Sequence, residues 1–407
     1  MELNMENVFK AVRITDKVYW VGAIDWAIRD FHGYATPRGT TYNAFLIIDE
    51  KITLIDTVKR PFMDELLSRI SSIIDPRKID YIVSNHSEMD HSGSLPEIIA
   101  TVAPEKVLAS KMGRKALFEH FGVEVDEIES GEELKLGDLT LKFLETRMIH
   151  WPDSMFTYIP EEKLLFSQDA FGMHLATSER YADEIPLDIM RRESDTYYAN
   201  IVLPYSPMVK NTIKKVGEMG LEIELLCPDH GPIWRSKDIA IILEWYNAYI
   251  EQKPTRKAVV LYDTMWGSTE KMARAIADGI AETGVEAKVI NVRSTPRSEV
   301  MMQLLFAGAL VVGSPTLNQA IFPTLADVLT YAKGLKPKNL IGAVFGSYGW
   351  SGEATAHLQA ILEDMGVKII AEPVKISYVP TTADLVECRA FGAKVGTELV
   401  KVVGNAQ

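Results

Sequence analysis

Apolar positions in the first half of the chain come in short runs separated by turns. Residues 18–21, 42–48 and 52–55 read as strands, with Asp49-Glu50-Lys51 as the hairpin turn between the last two. Phe62, Leu66, Leu67 and Ile70 fall on one stripe, which predicts a helix over 61–72. Residues 81–84 predict a short buried strand that ends directly in Asn85-His86; 139–144, 164–166 and 221–226 predict later strands, and 238–250 a closing helix. The polar segment 251–257, interrupted by Pro254, predicts a linker. Beyond it the pattern becomes regular. An apolar strand over 258–262 precedes an amphipathic helix over 271–281, with Met272, Ala275, Ile276 and Ile280 on its inner face. Further strands are predicted over 285–291, 309–313, 340–345 and 367–370, with helices between them. Such alternation marks a doubly wound parallel sheet. The expected organisation is an α/β chain of two domains, 1–250 and 258–407.

At 407 residues the chain is too long for one ordinary core, which agrees with two domains. A net charge of -13 repels phosphate backbones, so nucleic acid is not an expected partner. The two cysteines, Cys227 and Cys388, fall one in each predicted domain, which argues against a disulfide framework and for a reducing compartment. No CxxC pair is present to hold a rubredoxin-type iron. The first ten residues carry mixed charges without an apolar stretch, and no apolar run reaches membrane-spanning length. A cytoplasmic protein without a membrane partner is expected.

Four loops, each after a predicted strand, carry acids and histidines. In the densest, Asn85-His86-Ser87-Glu88-Met89-Asp90-His91-Ser92-Gly93, four potential ligands fall within six residues, and 96–100 read as a helix beyond it. On an extended backbone His86, Glu88 and Asp90 project to one side and His91 to the other, which suits two adjacent metals better than one. His150, Asp169 and His230 lie in the other three loops. A lone histidine is usually a hydrogen-bonded structural residue, and a lone aspartate after a strand often caps a helix. Their shared position at strand ends is what groups these three with the dense cluster. The set offers nitrogen and oxygen without thiolate, which suits iron, manganese or zinc and argues against copper(I) and iron–sulfur centres. A bridging carboxylate, such as Asp169, is needed to hold two cations close together.

In the second half, the strand over 258–262 runs into Asp263-Thr264-Met265-Trp266-Gly267-Ser268-Thr269 and then a helix. Hydroxyls and amides at a helix N-terminus suit a phosphate, although such a turn is also an ordinary cap. Two more loops follow predicted parallel strands: Gly313-Ser314-Pro315-Thr316-Leu317-Asn318 and Gly346-Ser347-Tyr348-Gly349-Trp350-Ser351-Gly352. Ligands of such sheets bind at the carboxyl ends of the strands. The absence of a GxGxxG fingerprint argues against a dinucleotide fold.

The run His-x-Glu-x-Asp-His, followed by distant His, Asp and His, resembles the metallo-β-lactamase-like domain of flavodiiron proteins. Asp25-Trp26, Phe31-His32-Gly33-Tyr34, Gly39-Thr40-Thr41-Tyr42-Asn43-Ala44, His150-Trp151-Pro152-Asp153-Ser154-Met155 and Tyr197-Tyr198-Ala199-Asn200 resemble further segments of that family. Zinc hydrolases of the superfamily typically have histidine where this chain has Glu88, and the carboxylate favours ferric states. The resemblance implies an N-terminal metallo-β-lactamase-like αββα domain and a C-terminal flavodoxin-like domain. It assigns His86, Glu88 and His150 to one iron, Asp90, His91 and His230 to the other, and Asp169 to the bridge. His32, His174 and Tyr198 are implied to line the dioxygen pocket. The three second-half loops resemble flavodoxin in order and spacing and imply bound FMN, with Tyr348 or Trp350 stacked on its isoalloxazine.

The implied activity is reduction of dioxygen to water, an oxygen-detoxifying electron-transport reaction. It takes four electrons, two from a diferrous pair and two from the flavin hydroquinone. The implied donor is reduced coenzyme F-420, as in the methanogen-type members, or a rubredoxin; ending at Gln407 is compatible with either. A head-to-tail homodimer, or a dimer of dimers, is implied. Nitric oxide reduction with rubredoxin as donor uses the same cofactors. From other classes, a binuclear zinc hydrolase with an appended flavodoxin domain, or a plain electron carrier, would use parts of the same pattern.

Overall fold

A computed structural model describes residues 8–405. The chain divides into two compact units. One comprises Met1–Phe31, Thr36–Tyr197 and Tyr205–Asn247, and the other His32–Ala35, Tyr198–Pro204 and Ala248–Gln407.

The first unit is built on two sheets. One runs in the order Val12–Arg13, Val18–Trp20, Phe45–Ile47, Thr53–Ile55, Tyr81–Ser84, Lys106–Ala109, Asp126–Glu127. The other runs Glu133–Lys135, Thr140–Glu145, Met155–Ile159, Leu164–Phe166, Leu225–Cys227, Trp234–Arg235. Side chains alternate along each strand, and the core follows that period. Phe45, Ile47, Ile55, Val83 and Leu108 join Phe143, Met155, Ile159 and Phe166 in one cluster between the sheets. Their neighbours Leu46, Leu54, Ile82 and Val107 turn the other way, onto Leu66, Ile70 and Ile98 of the helices Met63–Ser71 and Leu95–Val102. Burial on both faces is why these strands are continuous apolar runs rather than alternating ones.

In the second unit the parallel strands run Glu286–Asn291, Lys257–Tyr262, Ala309–Pro315, Ile341–Tyr348, Lys368–Ile369, with Val374–Ser377 also pairing Ile341–Tyr348. The first strand in sequence therefore lies between the second and third. Its neighbours are reached by crossovers in opposite directions, so a crevice opens at its carboxyl end. The helices Ser268–Ala281 and Thr382–Asn405 cover one face of this sheet, and glycines permit their close approach. A Cβ on Gly279 would collide with the Arg389 carbonyl, and one on Gly392 with that of Ile276.

Several elements differ from the sequence reading. The strand expected over 221–226 forms only at Leu225–Cys227. Glu222 and Glu224 lie on the surface, both paired with Lys163. The helix expected from 271 starts at Ser268. The backbone after Glu88 is not extended: Met89–Ser92 is one helical turn, so Asp90 and His91 leave a helix rather than a strand.

Candidate metal centre and cofactor cavity

The first unit gathers its histidines and acids at the ends of its strands. Tyr81–Ser84 delivers His86, Leu164–Phe166 delivers Asp169, and Leu225–Cys227 delivers Asp229 and His230. The His86 loop is fixed from behind. Asn85 donates to buried Asp56 through its backbone amide and its side-chain amide, both at 2.7 Å, and accepts from the Thr157 hydroxyl. The His230 loop is held by Asn43, whose side-chain amide donates to the carbonyls of Pro228 (2.7 Å) and Gly231 (2.9 Å).

Ligand-type atoms converge in four overlapping groups: His86, His91, Asp169 and Asp229; Asp90, His91 and His230; His86, Glu88 and Asp90; Glu88, His150 and Asp169. Within each group the atoms lie within 4.8 Å of one another. All seven candidates from the sequence take part, even though the turn at Met89 is helical. Asp169 sits in the middle. Its Oδ2 is 2.8 Å from His150 Nε2 and 3.5 Å from His86 Nε2. Its Oδ1 faces the other way, 3.6 Å from His230 Nε2 and 3.8 Å from His91 Nε2. Asp90 Oδ2 completes the second set, 3.1 Å from His230 Nε2 and 3.3 Å from His91 Nε2. Glu88 completes the first, 2.9 Å from His150 Nε2.

These groups are charged and buried together. Burial lowers the His86 pKa, but the carboxylates of Asp169 and Asp229 overcome it and hold it well above its ordinary range. His150 and His230 are each raised to about 9, burial being outweighed by Asp169 and Glu88 at the former and by Asp90 and Asp169 at the latter. Asp90 and Asp169 go well below the usual carboxylate range, because adjacent imidazoles outweigh the upward push of burial. Even so, both ring nitrogens of His86, both oxygens of Asp90, Oδ1 of Asp169 and Oδ2 of Asp229 are buried without a hydrogen bond among the described residues. Buried polar atoms are normally paired, so such a concentration of unpaired ones fits a site built around cations.

Asp229 was not singled out in the sequence, although it adjoins His230. It lies behind the imidazoles, its Oδ2 3.3 Å from His86 Nδ1 and 3.9 Å from His91 Nδ1. His230 Nδ1 donates to the Thr41 carbonyl at 2.6 Å. Both contacts direct Nε2 towards the cluster.

The expected pocket residues divide. His174 is buried beside the cluster, with Nδ1 2.9 Å from Thr40 Oγ1 and its ring 4.7 Å from that of His230. Burial and the charge of His230 push its pKa well down. Tyr198 belongs to the second unit, where its ring packs on Tyr249 at 4.7 Å. Its neighbour Tyr197, in the first unit, lies 5.0 Å from His174 and 6.1 Å from His230. His32 is exposed in the second unit and belongs to none of the four groups.

In the second unit the crevice at the strand ends is a cavity of about 470 Å³. Thr264, Met265, Trp266 and Ser268 line it from the first loop, Pro315, Thr316, Leu317 and Asn318 from the second, and Ser347, Tyr348, Gly349, Trp350 and Ser351 from the third. Gln319 and Tyr378 line it too and were not foreseen. Four expected residues act behind the lining. Gly267 begins the helix in a left-handed conformation, with φ 84°. Thr269 Oγ1 lies 2.9 Å from Ser347 Oγ, and Ser314 accepts from the Phe322 amide. Gly352 lies against the Tyr348 ring.

Comparison with known proteins agrees with the two-part architecture. The family model described as ODP family beta lactamase matches residues 40–231, and the flavodoxin model matches 260–392. The chain is 47% identical over 395 residues to a rubredoxin-oxygen oxidoreductase of Megalodesulfovibrio gigas, covering 96% of this chain and 98% of that one. It is 43% identical over 394 residues to a nitric oxide reductase of Moorella thermoacetica (95% and 98% covered). It is 38% identical over 402 residues to a coenzyme F-420H2 oxidase of Methanothermobacter marburgensis (96% and 98% covered). Among solved structures, the rubredoxin oxygen:oxidoreductase of Desulfovibrio gigas superposes with a TM-score of 0.95 at 46% identity, covering 97% of this chain and all (100%) of that one. The flavodiiron protein of Giardia intestinalis gives 0.93 at 33% identity, with 98% of each chain covered. The flavodoxin domain implies FMN at the cavity, and the buried histidine and carboxylate cluster fits the di-iron centre of the flavodiiron relatives. The chain is an oxidoreductase of the flavodiiron protein family.

Proposed function

We propose that this protein reduces dioxygen to water at a di-iron centre supplied with electrons through FMN. The observation that carries the reading is Asp169, whose two oxygens face two separate sets of buried ligand atoms. His86, Glu88 and His150 would hold one iron, and Asp90, His91 and His230 the other, with Asp169 shared. Two irons and a flavin supply the four electrons that full reduction of dioxygen requires. The protein's part is to fix the ligands, through Asn85, Asn43 and Asp229, and to keep the surroundings dry with His174, Tyr197 and Phe31. Thr264, Ser268 and the strand-end loops would hold FMN in the cavity, with Tyr348 or Trp350 against the ring. His174, His32 and Tyr198 stay the pocket candidates, and Tyr197 joins them beside His174.

Glu88 argues against the zinc hydrolase reading, since a hydrolytic zinc site uses its ligands to hold an activated water rather than to stabilise ferric iron. Nitric oxide reduction is the second reading, favoured by identity to the Moorella thermoacetica enzyme. Identity is higher to the rubredoxin-named relative than to the coenzyme F-420H2 oxidase, so rubredoxin is the first donor to assay and reduced coenzyme F-420 the second. Two buried free thiols suit a reducing, cytoplasmic setting. A homodimer, or a dimer of dimers, remains part of the proposal. Metal and flavin analysis, followed by dioxygen and nitric oxide consumption, tests it. About two irons and one FMN per chain with faster dioxygen consumption support the reading. Zinc, no flavin and hydrolytic activity would overturn it.

A further inference from the structure

Asp263 is a buried carboxylate directly beneath the loop that lines the cavity. It follows the strand Lys257–Tyr262 and accepts three hydrogen bonds or ion-pair contacts. Its Oδ1 takes the Thr264 amide at 2.6 Å and Arg293 Nε at 2.7 Å, and its Oδ2 takes the Thr324 hydroxyl. Arg293 comes from the turn after the strand Glu286–Asn291, and its guanidinium lies 4.8 Å from the ring centroid of Phe322. Phe322 in turn donates its amide to Ser314. One ion pair thus ties together three of the segments around the crevice.

This arrangement sets the hydrogen-bonding direction of Thr264. Its amide is turned back to Asp263, while its hydroxyl accepts from the Gly267 amide at 3.1 Å. With one lone pair engaged by Gly267, that hydroxyl keeps its own proton to donate into the cavity that Thr264 lines. The same carboxylate that performs this orientation carries a negative charge under a site for a phosphate dianion, where charge interactions are weakly screened. Arg293 offsets it.

We propose that Arg293 is a positioning residue for the flavin phosphate: by pairing with Asp263 it lets a buried carboxylate orient Thr264 without repelling the phosphate. The inference rests on the assignment of FMN to this cavity. It makes a distinction between ligands, because riboflavin has the ring and ribityl chain of FMN but no phosphate.

The test is titration of the flavin-depleted full chain with FMN and with riboflavin, followed by flavin fluorescence. Arg293→Gln is expected to weaken FMN binding about tenfold or more while changing riboflavin affinity by less than about twofold. Adding Asp263→Asn removes the uncompensated charge and should recover most of the FMN affinity, and Arg293→Lys should stay close to the parent. Equal losses for both flavins in Arg293→Gln, or no recovery in the double variant, overturn the proposal. If Arg293→Gln fails to fold, FMN affinity in Arg293→Lys and in the double variant decides instead. A parent chain that binds riboflavin as well as FMN rejects the phosphate role, and one that binds neither rejects the FMN assignment itself.

Discussion

Asp229 offers a direct test of how the metal centre is held. Its backbone is independently anchored, the amide donating to the Gln168 carbonyl at 2.9 Å and the carbonyl accepting from the Asn43 amide at 2.7 Å. Its carboxylate, however, faces Nδ1 of His86 at 3.3 Å and Nδ1 of His91 at 3.9 Å. Asp229→Asn keeps the shape and the backbone contacts and removes the charge that makes those imidazoles better donors. Carboxylates behind metal-bound histidines typically change metal affinity about 10–100-fold, or ~1.4–2.7 kcal/mol. His86 and His91 fall in the two different ligand sets, so both cation sites should weaken, His86's more because its contact is shorter. Anaerobic ferrous titration against a competing chelator measures this, with the circular dichroism spectrum confirming the fold. Iron affinity within about twofold of the parent in a folded variant would refute the argument that Asp229 acts through the imidazoles.

Two further outcomes are expected. Burial and the charge of Asp229 push the Asp56 carboxyl up to about 8, despite the hydrogen bonds from Asn85. An acid with a raised folded pKa takes up a proton on folding, so its contribution is full below ~4 and is lost as pH rises through about 8. Denaturation of the metal-free chain should show that decline between pH 4 and 8, and Asp56→Asn should flatten it; an unchanged slope would count against the assignment. Gly279→Ala places a methyl group against the Arg389 carbonyl, where two helices meet backbone to backbone. It should cost roughly 1–3 kcal/mol in chemical denaturation, and a neutral result would mean that the Ser268–Ala281 and Thr382–Asn405 helices separate freely.

The fold was most legible where the apolar pattern had a single explanation. In 258–313 three strands alternate with two helices, and they give the parallel sheet directly. The first half was harder, because strands buried on both faces carry no alternation from which to tell a face. Met155–Ile159 is buried at every position and passed unread. Tyr197 and Tyr198 were legible as a pair but not individually. Which of two adjacent aromatics faces His174 depends on helical phase, and the helix Leu187–Tyr197 gives way there to a π-helical turn, Tyr198–Val202.

The metal ligands could be found because their chemistry is costly to bury anywhere else: acids and histidines at the ends of apolar strands stand out against their surroundings. The residues that orient them do not. Asn43, Asp56 and Asp229 are ordinary polar residues at ordinary strand ends, and only the contacts formed on folding give them a role. Asp263 is the same case in the second unit, since in sequence it reads as the first residue of a phosphate loop and in the structure it lies behind that loop. A ligand's residue type reports what it binds, whereas a supporting residue's type reports only that it has a partner. The partner, whether Asn85 for Asp56 or Arg293 for Asp263, is remote in sequence, so these roles become readable only when the chain has brought the pairs together.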